Sequence, residues 1–198
     1  MKKALILFTK NPEAGKVKTR LAATIGNEAA LKVYNQLLLY TVSATEYLPV
    51  DMFVFYSDHI PQDDIFSNKN YIKEMQQGMD LGERMKNAFA STFERGYAEI
   101  VIIGADCPDI SSAIIMNAFD DLNNNDVVIG PAEDGGYYLL GLKALHTELF
   151  EDIEWSTEKV LHHTITKCKA SKHIYHLLPV LNDIDVEKDL VHLNKNAI

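Results

Sequence analysis

Lys3-Ala4-Leu5-Ile6-Leu7-Phe8 runs directly into Thr9-Lys10-Asn11-Pro12-Glu13-Ala14-Gly15-Lys16-Val17-Lys18-Thr19-Arg20-Leu21. The first segment is a continuous apolar run of strand length, as expected of a strand covered on both faces. Lys2 and Lys3 before an apolar run could suggest a leader. The run is too short for one, and Thr9-Lys10-Asn11 ends it without a small-residue cleavage site, so it reads as a first strand. The second segment is a turn dense in cations. A strand that ends in a basic turn is the first half of a ligand site in an open α/β sheet, where ligands bind beyond the carboxyl ends of the strands.

The same strand pattern recurs at 52–56 (MFVFY), 99–103 (EIVII), 126–129 (DVVI), 137–142 (YYLLGL) and 173–177 (HIYHL). Helical stretches lie between. In 27–46, Leu31, Tyr34, Leu38 and Val42 share one face, and in 80–95 Leu81, Met85, Ala88, Phe89 and Phe93 do the same. A third helix is expected over 111–122, with Ser111 or Ser112 as its cap, and a fourth from Ser156, with Trp155 and Val160 placed as a hydrophobic staple. A last short helix is expected after Asp185. Alternating strands and helices imply one mostly parallel sheet with helices on both faces. The Gly-rich segment between 126–129 and 137–142 leaves room for one antiparallel strand. No Pro/Gly/Ser-rich linker interrupts the chain, so residues 1–198 are expected to form a single domain.

Composition narrows the function classes. The 198 residues are 47% hydrophobic, which suits a globular core. No apolar run approaches the ~20 residues that span a bilayer. Cys107 and Cys168 are too few for a disulfide framework and are not spaced for zinc, so a reducing, cytoplasmic setting is expected. The formal charge of −9 would repel nucleic acid. Against that background, residues 1–20 carry Lys2, Lys3, Lys10, Lys16, Lys18 and Arg20 against the single acid Glu13. A local cation cluster on an acidic protein points to a small anionic ligand.

Three loops and the tail hold the residues that could act on it. In the first, Gly15 permits a turn, and Lys10, Lys16, Lys18 and Arg20 supply charge for phosphate oxygens. It is not a P-loop, because Gly15-Lys16 precedes Val17 and the upstream glycine is missing. In the second, Gly104-Ala105-Asp106-Cys107-Pro108-Asp109, Asp106 reads as a ligand for Mg²⁺ or Mn²⁺ at the sheet mouth and Asp109 as a helix cap. The third, Gly130-Pro131-Ala132-Glu133-Asp134-Gly135-Gly136-Tyr137-Tyr138, reads equally as a hairpin turn or as a ligand loop, with Glu133 and Asp134 as acceptors for hydroxyls. Near the C-terminus, Asp183 and Asp185 could reach the same cation as Asp106, while Glu187 and Asp189 suit an acidic helix start. His162 and His163 read as surface residues, and Cys107 as packing under its loop rather than a nucleophile. Arg84 could touch a nucleotide or pair with Glu83, and Trp155 could be core or an acceptor-site wall.

Taken together, Phe8-Thr9-Lys10-x-Pro12-x-x-Gly15-x-Val17-Lys18-Thr19-Arg20-Leu21, Asp80-Leu81-Gly82-Glu83-Arg84-Met85, Gly104-Ala105-Asp106-Cys107-Pro108, Gly130 to Tyr138, Trp155-Ser156-Thr157 and Asp183-Ile184-Asp185 resemble the DUF2064 family. Its members are similar to nucleotide-diphospho-sugar transferases, and many carry the label arsenosugar-biosynthesis glycosyltransferase. The resemblance implies a three-layer α/β/α GT-A fold with a mostly parallel mixed sheet. It also implies that Lys18 and Arg20 hold nucleotide phosphates, with Phe8, Thr9, Lys10, Gly15 and Arg84 beside them. Asp106 and Asp185 would hold a divalent cation, Mg²⁺ or Mn²⁺. Two departures stand out. Only Thr19-Arg20-Leu21 matches the end of the glycine-rich opening of sugar nucleotidyltransferases, and Pro108 occupies the third position of the Asp-x-Asp that glycosyltransferases of this fold carry.

The expected activity is transfer of a sugar from a nucleotide-diphospho-sugar to a small-molecule acceptor, with Asp134 or Glu133 holding the sugar or serving as base, and Gly135, Gly136 and Trp155 around the substrate. The alternative is nucleotidyl transfer from a nucleoside triphosphate to a phosphorylated substrate, with release of pyrophosphate. A non-catalytic nucleotide-binding domain is the third reading. No membrane or nucleic-acid partner is expected, and homo-oligomer formation is left open.

Overall fold

The computed structural model describes residues 1–67 and 70–193. Among the described residues, seven strands form one sheet: β1 (Lys3–Thr9), β2 (Asp51–Tyr56), β3 (Tyr71–Met75), β4 (Glu99–Gly104), β5 (Val127–Pro131), β6 (Tyr137–Leu142) and β7 (Tyr175–Leu177), in the order β3-β2-β1-β4-β6-β5-β7. β1 pairs in parallel with β2 and β4, β2 with β3, and β5 with β7; β6 runs antiparallel to both of its neighbours. The antiparallel strand allowed for in the sequence is thus β6. Helices α1 (Thr19–Ile25), α2 (Asn27–Thr45), α3 (Leu81–Glu94), α4 (Ser112–Asp121), α5 (Val160–Ala170) and α6 (Leu190–Leu193) complete the elements, with 3-10 turns at Thr147–Phe150 and Glu187–Asp189. Among the described residues, no helix is long and apolar enough to cross a membrane.

The three layers follow from strand alternation. Leu5 and Leu7 of β1, with Val54, Tyr56, Val101 and Ile103, face Tyr34 and Leu38 of α2 and Ile115 and Phe119 of α4. Ala4 and Ile6, with Phe53, Phe55, Ile100 and Ile102, face Met85 and Phe89 of α3 and Cys168 of α5. Each fully buried Leu, Ile or Phe contributes roughly 1.5–3 kcal/mol. The central strands have no polar face because both of their faces are core. A third small cluster, Leu21, Ala30, Leu37 and Ile184, fastens α1 to α2 and to the C-terminal segment.

Two elements differ from the sequence expectation. β3 was not anticipated: it is an edge strand, and Tyr-Ile-Lys-Glu-Met lacks the apolar run of a doubly covered strand. The fourth helix begins at Val160, four residues after the expected cap. Ser156 is left-handed (φ 62°) rather than in the extended conformation usual for a Ser N-cap, and the first turn of α5 is instead tied down by Leu161 N–H donating to the Gly135 carbonyl at 2.9 Å. Ser111, one of the two expected caps, accepts from Ile114 N–H, whereas Asp109, read as a helix cap, does not cap α4; Asp80 accepts from Glu83 N–H at the head of α3.

Topology decides where the loops meet. β1 sends its connection to β2 on one side while β4 lies on its other side, so the strand order reverses between β1 and β4. Phe8 is level with Gly104, and the turn after β1 and the turn after β4 therefore leave the sheet side by side. β6 begins at this same edge, with Leu139 opposite Ile103, and brings in the Gly-rich loop. The C-terminal segment joins through an Ala132–Leu181 bridge and through Ile184 N–H donating to the Asp106 carbonyl at 3.1 Å.

Candidate active site

At that edge opens a cleft of about 1040 Å³, whose walls include Phe8, Thr9, Lys10, Lys18, Arg20, Asp106, Asp134, Asp183 and Asp185. The basic turn and the acidic loops meet in two ion pairs. Lys18 Nζ lies 2.7 Å from Asp106 Oδ1, and Arg20 donates to Asp185 Oδ2 at 2.8 Å. The cation expected to bind phosphate is paired in each case with an aspartate expected to bind metal. The Lys18 side chain is only 5% exposed, whereas Asp106 is half exposed, so the carboxylate keeps an open side facing the cleft.

Lys18 reaches this position by adopting φ 48°, a left-handed conformation at the head of α1 that costs a non-glycine residue on the order of 1–3 kcal/mol. The preceding backbone is pinned by side chains from other elements. Tyr34 of α2 accepts from Lys10 N–H at 2.9 Å and lies 3.0 Å from Thr9 Oγ1. Burial, reinforced by the Asp106 charge, holds its phenol well above the ordinary value, so it stays neutral. Gln76, just past β3, donates to the carbonyls of Thr9 and Phe55. Arg84 donates to Gly78 O at 3.1 Å and to Gln76 Oε1 at 3.5 Å, while Glu83 is engaged by Met79 N–H. Arg84 is therefore a cleft residue and not Glu83's partner.

The deepest acid is Asp183. Its Oδ1 is buried and has no hydrogen-bond partner among the described residues. Burial foremost, then the charges of Asp106 and Asp134, push its carboxyl up to about 7, with Lys18 opposing. A buried carboxylate facing other carboxylates is the arrangement that a bound cation relieves. Oxygens of Asp106, Asp183 and Asp185 fit a divalent cation chemically, since all are hard donors on a wet cleft. As they stand they do not gather as a set within 4.8 Å of one another. Lys18 holds one of them by its ammonium.

Other expected site residues separate into those that line the cleft and those that shape it. Asp134, Gly136 and Trp155 line it, as do Phe8, Thr9, Lys10 and Arg84. Asp134 accepts from Gly136 N–H at 2.8 Å, which turns its loop inward. Trp155 is both wall and packing: it lies 6.5 Å from the Tyr137 and Phe150 rings and sits against Gly82, where a Cβ would fall 2.0 Å from its indole nitrogen. Gly15, Glu133 and Gly135 do not line the cleft. Gly15 (φ 80°) turns the basic loop beside Asn27, and Glu133 is exposed, its backbone N–H tied to Leu181 O. Gly135 (φ 88°) lets the lead into α5 pass, because a Cβ there would meet Glu158 O at 2.1 Å. Lys16 leaves the site to pair with Glu13 at 2.8 Å.

Cys107 is buried, and burial, aided by the nearby Asp183 charge, drives its thiol up to about 12. A thiol that stays protonated near neutral pH is no nucleophile. Cys107→Ser is expected to keep activity within about twofold under steady-state assay, at a stability cost of roughly 1 kcal/mol.

A family model described as "Uncharacterized protein conserved in bacteria (DUF2064)" matches residues 41–157. A crystal structure from Desulfovibrio desulfuricans G20, provisionally named as a nucleotide-diphospho-sugar transferase, is 33% identical over 100% of this chain and 90% of that one, with a TM-score of 0.88. The fold is shared more widely. The 4-diphosphocytidyl-2C-methyl-D-erythritol synthase of Anaerococcus prevotii DSM 20548 superposes with a TM-score of 0.59 at 10% identity, covering 98% of this chain and 94% of that one. Rv0371C from Mycobacterium tuberculosis H37Rv, solved in complex with manganese, gives 0.55 at 12% identity and covers 98% of each chain. No curated protein matches the sequence.

Proposed function

The chain belongs to the DUF2064 family, and from that premise we propose that it is a divalent-cation-assisted transferase that moves a sugar from a nucleotide-diphospho-sugar to a small-molecule acceptor. The observation that carries this reading is the pairing of Lys18 with Asp106 and of Arg20 with Asp185 on one rim of the sheet. The name of the Desulfovibrio relative supports the donor class. The Mn²⁺ bound by the more distant mycobacterial protein supports a divalent cation.

In this reading Asp106 and Asp185 hold the cation, with Asp183 behind them. When bound, the ion supplies positive charge where the diphosphate leaving group becomes more negative. Lys18 and Arg20 exchange part of their aspartate contacts for phosphate oxygens; Arg20, 68% exposed, can swing to offer its planar fork. Tyr34 and Gln76 hold the Thr9-Lys10 backbone still, so the cations need little reordering. Asp134 accepts a hydrogen bond from the transferring sugar or takes the proton of the acceptor hydroxyl. Residues 1–198 act as one catalytic domain.

A second reading is favoured by Pro108, which removes the Asp-x-Asp of nucleotide-sugar glycosyltransferases and leaves the acids split between two loops. In it the same rim serves nucleotidyl transfer, with a substrate phosphate attacking the α-phosphorus of a nucleoside triphosphate and pyrophosphate leaving. The products separate the readings. Nucleoside diphosphate released from a sugar donor with Mn²⁺ supports the first; pyrophosphate released from a triphosphate supports the second. Melting points unmoved by every nucleotide and nucleotide sugar, with or without Mn²⁺, would sink both.

Arg20→Ala is expected to raise the nucleotide Kd about ten- to a hundredfold by titration calorimetry. It should lower stability by no more than about 1 kcal/mol, since exposed pairs contribute little to folding.

A further inference from the structure

We propose a second, independent metal site, for a first-row transition ion such as Zn²⁺, formed by His146, Glu148 and His173 at the sheet edge opposite the cleft. The topology fixes the separation. β6 runs antiparallel to β4, with Leu142 opposite Ile100, so the chain beyond Leu142 emerges where β4 begins rather than where Asp106 lies. His146 caps the 3-10 turn Thr147–Phe150 and Glu148 sits within it. His173 follows α5, after Lys172 in the left-handed region at φ 60°.

One ligand atom from each residue lies within 4.8 Å of the other two. His173 Nε2 and Glu148 Oε1 are already 2.6 Å apart, and the two imidazoles lie tilted to one another with centroids 3.9 Å apart. Tetrahedral bonds of about 2.1 Å would place ligand atoms roughly 3.4 Å from one another. The His173–Glu148 distance is shorter than that spacing and every ligand-atom pair stays within 4.8 Å, so the three side chains are grouped at the scale a single ion needs.

The supports are rigid. Leu149 and Phe150 anchor the turn in the core, and His173 N–H donates to Cys168 O at 2.9 Å. Ile174 exchanges hydrogen bonds with Asp126, its N–H going to Asp126 Oδ2 and its carbonyl accepting from Asp126 N–H. An ordinary Glu–His pair needs one imidazole. Here the bond to Glu148 is made by His173, and His146 adds a second ring in ligand range without sharing that bond. Burial and the neighbouring His173 hold His146 below its usual range, so it is a neutral donor near pH 7.

Two imidazoles and one carboxylate suit Zn²⁺, Co²⁺ or Ni²⁺, whereas the all-oxygen cleft suits Mg²⁺ or Mn²⁺. His173 would ligate through Nε2 in the neutral tautomer that carries its N–H on Nδ1, and protons compete with the metal for the imidazole nitrogens, so affinity falls as pH drops. The ion would clasp the turn after β6 to the α5–β7 connection.

Untagged protein, stripped with chelator, is titrated with Zn²⁺ near neutral pH by calorimetry and in parallel with Co²⁺ by visible absorption. The expected results are one bound equivalent, the intense absorption of a four-coordinate cobalt site, and a raised melting point. His146→Gln and Glu148→Gln should each weaken binding by at least about tenfold, with the metal-free melting point showing that each variant folds. Asp106→Asn should leave the Zn²⁺ equivalent in place. No binding to the native chain, or binding unchanged in folded His146→Gln and Glu148→Gln, would overturn the site.

Discussion

Asp106→Asn is expected to lower cation-dependent turnover by about a thousandfold while the protein remains folded. Asn keeps the volume and the acceptor oxygen of the side chain, so Lys18 Nζ, now 2.7 Å from Oδ1, retains a hydrogen bond and is not left as a bare buried charge. Removing a partner outright from a buried pair costs about 3–5 kcal/mol. The isosteric change, made at a half-exposed carboxylate, should cost closer to 1 kcal/mol. What disappears is the negative charge, which is what a hard divalent cation needs. Two measurements check this together: turnover with a nucleotide-sugar donor, and the melting-point rise produced by Mn²⁺. The metal assignment fails if the variant keeps its rate and its Mn²⁺ response.

The fold was legible wherever burial acts on both faces of a strand. β1, β2, β4 and β5 are covered by helices above and below, and their sequences carry no polar face to confuse the reading. β3 was illegible for the same reason inverted. At the sheet edge Ile72 is 42% exposed, and the strand alternates weakly over too short a span. The start of α5 was misplaced because Ser156 and Trp155 have the chemistry of a cap and a staple. The helix starts later, where Leu161 N–H donates to a distant partner, the Gly135 carbonyl, which no local pattern announces.

Within the site, the charged residues were readable because topology turns strand ends into a ligand edge. Lys18, Arg20, Asp106 and Asp185 all lie just past such ends or on segments bridged to them. Tyr34 and Gln76 were not readable as site residues. Tyr34 occupies a helical apolar stripe like any core residue, and only its hydroxyl reaches a backbone 24 positions away. Gln76 lies beyond a strand that was itself missed. Glu133 and Gly135 were assigned with Asp134 because the loop is contiguous, yet neighbouring positions of a turning chain face different ways. Asp134 and Gly136 reach the cleft, whereas Glu133 and Gly135 do not.

Asp183→Asn should stabilise the protein at alkaline pH and at the same time remove most of its cation response. The native carboxyl is pushed up to about 7 from an ordinary 3.8, chiefly by burial. The folded state therefore holds its proton more tightly than the unfolded chain does. The sign follows by linkage: the favourable contribution is complete below about pH 3.8 and is lost as pH rises through about 7. At pH 8 the ionised side chain costs the fold on the order of 4 kcal/mol relative to a neutral one. Asn cannot ionise, so the variant should melt at about the native temperature at pH 4 and as much as roughly 10 °C higher at pH 8 in metal-free buffer. Mn²⁺ relieves the same repulsion in the native protein by binding its ionised form, and should close most of that gap without moving the variant. A gap between the two melting points that stays constant from pH 4 to 8, with an equal Mn²⁺ response in both proteins, would overturn this assignment of Asp183.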